Sequence, residues 1–196
     1  TIMARTYTDT AIYIPELFAP LVQAVSDNLN VPTEVNKPIA YYHGTVLHLN
    51  ERLNEYVTTA KDRLPFIALI HNFTEDFGQK IGYNETTLTF WLMCLAPSPD
   101  AHYEVRYTES FHKILYPMWQ EFVQQITDSN LFIIDSVTGL DYRKTDRPNW
   151  GTYDGEGNVK SITGEFVDGI ELAITLKLNY ESCFKKQILN NEIKIY

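Results

Sequence analysis

In the run 88-LTFWLMCLA-96 every position but one is apolar. Threonine, phenylalanine and tryptophan are strand formers, and 97-PSPD-100 breaks the run. It is therefore read as a β-strand over Thr86 to Ala96. Side chains alternate across a strand. Phe90, Leu92 and Cys94 then share one face, and Trp91, Met93 and Leu95 the other. A strand apolar on both faces has to be covered on both. The expectation is a layered domain with this strand at its centre, a helix over one face, and another layer or a second subunit over the other.

Two segments have the period of amphipathic helices. The first starts at Pro15, which suits an opening turn, and repeats apolar residues at Leu17, Phe18, Leu21, Val22, Val25 and Leu29. The second is predicted to begin near Thr108, with Ser110 also available as a cap. It carries Phe111, Ile114, Leu115, Met118, Phe122, Val123 and Ile126 on one side. Pro117 falls inside it and predicts a bend. Strand-like runs lie at 39-IAYYHGTVLHL-49 on both sides of Gly44, at 65-PFIALIHNF-73, and around 131–145 and 168–180. Residues 74–85 and 151–165 read as turn-rich loops. The order of helix, strands, helix, strands predicts one α+β domain over 1–196. A mostly antiparallel sheet packs against two main helices, with an N-terminal arm at 1–12 and a C-terminal extension at 181–196.

Charge narrows the function. The chain carries 25 acidic against 16 basic residues, net −9. An acidic surface repels phosphate, so sequence-specific nucleic-acid reading is not expected. No apolar run reaches about 18 residues, so no transmembrane helix is expected, and no signal peptide is visible. Cys94 and Cys183 show no metal or redox spacing, which makes a reducing compartment the default.

No reactive constellation emerges. His43 and His48 would point to opposite faces of a strand, and His71, His102 and His112 are scattered, so no metal site is indicated. Glu75, Asp76, Asp168 and Glu171 read as solvated charges beside turns. The triplet 76-DFG-78 lacks every other kinase element. No phosphate-binding loop or nucleophile elbow occurs, so neither a catalytic site nor a cofactor is expected.

The stretch 140-LDYRKTDRPNWG-151 mixes both signs of charge with a tyrosine and a tryptophan. Arg143 and Arg147 suit carboxylate forks, within the chain or with a neighbouring subunit. Trp150 is either an interface anchor or a side chain folded back on its own core.

The layout resembles the tail terminator (tail-completion, or head–tail joining) proteins of long-tailed bacteriophages. The matching pieces are 65-PFIAL-69, 88-LTFWLMCLAP-97, 114-ILYPMW-119, 141-DYRKTDRPNWG-151 and 169-GIELAITLKLNY-180, spread over residues 15–180. The resemblance implies a virion protein without catalytic activity, forming a ring, usually hexameric, that caps the tail tube. Its partners would be the tail tube and the head-completion or neck proteins, and DNA would only pass through the lumen. Arg143, Asp146, Arg147 and Trp150 would then pair across the subunit interface. The alternatives are a neck or connector ring protein, and a non-catalytic α+β interaction module.

Overall fold

A computed structural model describes residues 13–29, 38–54, 64–76, 85–98, 101–135, 138–153, 159–161 and 166–179. The expected arm, the C-terminal extension, Cys183 and most of the two turn-rich loops lie outside the described residues.

The fold is α+β, with a mostly antiparallel sheet against helices. Helix α1 (Ile14–Asn28) opens with proline in its first turn and buries Ile14, Leu17, Phe18, Leu21, Val22 and Val25. Strand β1 (Ala40–Gly44) follows. The strand expected beyond Gly44 is instead a helix, α2 (Val46–Asn54). Two residues make the switch. Gly44 has φ +154°, which L side chains rarely adopt. Thr45 then accepts the His48 N–H at 3.3 Å through its side chain and the Leu49 N–H at 2.9 Å through its carbonyl, as an N-cap does. The helix lies between β1 and β2 (Phe66–Ile70), which pair in parallel and so need a crossover connection.

The other pairings are antiparallel. Strands β3 (Glu75–Asp76), β4 (Glu85–Leu95), β5 (Asp141–Arg147) and β8 (Val167–Lys177) complete a sheet of order β1-β2-β4-β8-β5, with β3 alongside β4. Strands β6 (Gly151–Tyr153) and β7 (Val159–Ser161) form a separate ribbon. Of the strand region expected around 131–145, residues 141–145 lie in β5, while Phe132 and Asp135 make isolated bridges, Phe132 with Leu178 just past β8.

The second helix begins earlier than its apolar period suggests. Helix α3 (Tyr103–Arg106), a π-helical segment (Tyr107–Leu115) and α4 (Tyr116–Asp128) run on continuously. Thr108 and Ser110 are therefore interior rather than capping. Thr108 bonds back to the Glu104 carbonyl, and Ser110 reaches the sheet. Among the described residues, no helix is long and apolar enough to cross a membrane.

Phe90, Leu92 and Cys94 do share a face with Ile67, Leu69, Ile170, Leu172 and Ile174, under α1 and the long helix. Phe18 sits at the centre of this layer, 4.7 Å edge-on from Phe90. Met93 on the opposite face joins Phe66, Ala68, Ile70 and Val167. That second face is covered by the chain itself: Leu49 from α2, Leu64, and Trp150 against Trp91.

Candidate functional site

Counting alternately along β8 puts Asp168 on the helix side with Ile170, Leu172 and Ile174, in register with Cys94. It is fully buried, which corrects its reading as a solvated charge. A buried carboxylate needs a countercharge and filled hydrogen bonds. The start of the long helix supplies both. Arg106 donates from Nη1 to Asp168 Oδ1 at 2.7 Å, and Ser110 Oγ donates to Oδ2 at 2.7 Å. The Asn149 N–H donates to Oδ1 at 2.7 Å. The rest of the guanidinium reaches the carbonyls of Ala101 at 3.0 Å and Ser98 at 2.8 Å.

Cys94 lies against this cluster. Burial pushes its thiol well above the usual range, the Asp168 charge adds to the rise, and a hydrogen bond with Ser110 opposes it. A thiol held protonated is a poor nucleophile, and the oxygens of Asp168 are already taken by the chain. The arrangement is a lock rather than a reactive centre. It fastens Ser98, Ala101, the helix start and the 149 turn to β8. The period-two series 168, 170, 172, 174 was the sequence signal for a core aspartate. Arg106 had no comparable signal, because its charge stands beyond the apolar series of the helix.

The stretch 140–151 is mostly strand. Among the described strands β5 ends the sheet, with β8 on one side, and alternation separates Asp146 from the other candidate interface residues, since Arg143 and Arg147 share the face where Arg147 lies 5.9 Å over the Trp150 ring. Asp146 faces the helices, where it accepts the Tyr116 hydroxyl at 2.8 Å and pairs with Lys144. Burial and then this hydrogen bond push the Tyr116 hydroxyl upward. Arg147 lies on the opposite face, paired with Glu171 at 3.2 Å. Arg143 is exposed and sits across from Ala173. Asn149 turns the chain with φ 54°, so that the Trp150 N–H bonds the Val167 carbonyl at 2.8 Å. The indole then packs 4.7 Å from Trp91, over Gly169. A Cβ at Gly169 would lie 2.5 Å from the indole. The indole is thus folded back on its own core, half-buried.

Beside β5 runs a row of rings that composition alone did not locate. Tyr103, Tyr107, Tyr116, Trp119 and Tyr142 follow one another with centroids 6.0–6.3 Å apart. The Lys144 ammonium stands 4.5 Å over Tyr116 and 5.1 Å from Trp119. Tyr103 and Tyr107 are exposed at 61% and 42%.

The histidines are less scattered in space than in sequence. His43 near the end of β1 and His71 just past β2 place Nδ1 and Nε2 3.2 Å apart. His71 is held below the usual imidazole range by burial first, then by the charges of His43 and His48. Among the described residues, no group of three or more His, Cys, Asp or Glu could hold a metal ion.

No protein-family model matches the chain, and no curated protein matches it.

Proposed function

We propose that the chain is a structural virion protein of the tail terminator or head–tail joining kind. In this reading it closes into a homo-oligomeric ring on the tail tube, meets head-completion or neck proteins on its other side, and leaves a channel for DNA. The element order that carries the resemblance supports this. So does net −9, since an acidic wall lets phosphate slide past without sticking. The observation that weighs most is the surface along β5. A strand at the end of the described sheet exposes Tyr142, which continues a row of tyrosines on the helix side, and Arg143 on the other side, and both residue types are enriched where proteins meet. A terminal strand also offers backbone groups for a neighbour to pair with.

The contacts of Asp146, Arg147 and Trp150 within their own chain shift the proposed interface toward Arg143, Tyr142, Tyr103 and Tyr107. Native mass spectrometry and light scattering test this. The parent chain should form a closed assembly, alone or with tail-tube protein. Arg143→Glu combined with Tyr107→Ser should return it to monomers with an unchanged circular dichroism spectrum. A parent monomeric at every concentration and with tail-tube protein present would overturn the reading, as would an assembly that both substitutions leave intact.

A further inference from the structure

His43 and His71 are 28 residues apart in the chain and meet because β1 and β2 run parallel. The register sets Gly44 beside Ile70, and the His71 N–H bonds the Gly44 carbonyl at 2.9 Å. One histidine therefore ends up just inside the last pair of the ladder and the other just outside it. Their rings lie 15° from parallel with centroids 5.1 Å apart, and the two nitrogens are 3.2 Å apart. Rings so disposed meet edge to edge, nitrogen to nitrogen. One nitrogen must carry the proton that the other accepts.

That separation has a second meaning. Two imidazole nitrogens bound at about 2.0–2.1 Å to one tetrahedral ion stand about 3.3–3.4 Å apart. The pair is already at the bite of a chelate. We propose that His43 and His71 form a two-imidazole site for a borderline divalent transition metal of the Zn2+, Ni2+ or Cu2+ class. The metal takes the place of the shared proton, which passes by way of solvent to the far nitrogen of the same ring, so that both ligands remain neutral imidazoles. The rings tilt by roughly 35° each so that their lone pairs converge at a tetrahedral angle instead of facing each other. His43 is exposed and His71 half-buried. Both stand where the ladder ends, with the rings of Tyr13 and Tyr41 6.0 Å from His43 and that of Phe73 5.8 Å from His71, loose enough contacts for the rings to tilt. Imidazole nitrogen selects this class of ion over Mg2+ and Ca2+, which take oxygen. No third His, Cys, Asp or Glu of the described residues completes the shell. Water or a group from another molecule fills the remaining positions, and the ion ties β1 to β2 at the end of the sheet.

Calorimetric titration of the full chain with Zn2+ at pH 7.5 tests the site, with Mg2+ as the control ion. One Zn2+ per chain should bind and raise the melting temperature, and Mg2+ should do neither. His43→Gln and His71→Gln should each weaken Zn2+ binding at least tenfold and abolish the rise. His102→Gln and His112→Gln should change nothing. Cu2+ on the unsubstituted protein gives a reading independent of any variant's folding: its paramagnetic resonance spectrum should show two imidazole nitrogens. The proposal is overturned if Zn2+ does not bind, if binding survives both His43→Gln and His71→Gln, or if the Cu2+ spectrum shows fewer than two nitrogens.

Discussion

Asp168 accepts three hydrogen bonds, from Arg106, Ser110 and the Asn149 N–H, and its contribution differs in kind from that of a surface charge. Removing its carboxylate leaves the Arg106 guanidinium buried without a counterion, and losing one partner of a buried pair costs about 3–5 kcal/mol. Asp168→Ala should therefore lower the urea midpoint sharply with little change of slope. Adding Arg106→Met should recover only part of the loss, because Ser110 and the carbonyls of Ser98 and Ala101 would still lack their partner. Full recovery would show that the pair is dispensable. Surface pairs such as Lys113–Glu109, about half exposed on both sides, contribute about 0–1 kcal/mol by comparison. Cys94 gives the residue scale a chemical readout. Its thiol is fully enclosed and held protonated. In a Cys183→Ser background it should react with a disulfide reagent at least about a hundredfold more slowly in the folded chain than in guanidinium. Equal rates would show that the cluster around Asp168 is open.

At the scale of elements, Pro117 stands at a change in helix winding. Immediately before it the chain winds with i→i+5 bonds, and the Tyr116 N–H reaches the Phe111 carbonyl. The buried residues show the same wider winding. They fall at Arg106, Ser110 with Phe111, and Leu115, then tighten to Met118, Phe122 and Ile126. A π-segment takes more than four residues per turn, and Pro117 stands where that winding hands over to α4. The missing donor is absorbed at this junction. Pro117→Ala should then change stability by less than about 1 kcal/mol, against the ~3 kcal/mol typical of a helix-interior proline. Thermal unfolding measures this, and a gain near the larger figure would mean that the proline strains the helix. The same element marks the limit of what was legible in the sequence. The apolar period located its C-terminal half, but Arg106 and Ser110 are polar residues on the buried face and hid the first two turns. The central strand β4, the strand β8 and α1 were legible because unbroken patterns carry them. Helix α2 was not, because Val46, Leu47 and Leu49 suit either state and only Gly44 with Thr45 decides. Trp150 was undecidable for a different reason: its partner Trp91 is remote in sequence.

Across the whole molecule, Trp150 and Arg143 separate folding from association, although six positions in one stretch divide them. Trp150 closes the second face of the sheet over Trp91 and Gly169. Trp150→Ala should cost about 2–3 kcal/mol, somewhat less than truncation of a fully buried tryptophan. That loss should be seen in dilute monomer by chemical denaturation. Arg143 is exposed beside Ala173, and Arg143→Ala should leave the same curve within about 0.5 kcal/mol. If the two variants exchange these behaviours, the assignment of the tryptophan to the core is wrong. The strand order also governs how the chain can emerge from the ribosome. β8 comes last among the described sheet strands yet lies between β4 and β5, with Cys94 opposite Asp168 and Arg147 opposite Gly169. Until β8 has been synthesised, the most apolar strand keeps one row of amides bare, and β5 has nothing to attach to. A nascent chain stalled near residue 160 would carry an open edge able to pair with its neighbours on a polysome. The interval before β8 is made is thus the one in which the open edge of β4 is most exposed to wrong pairing.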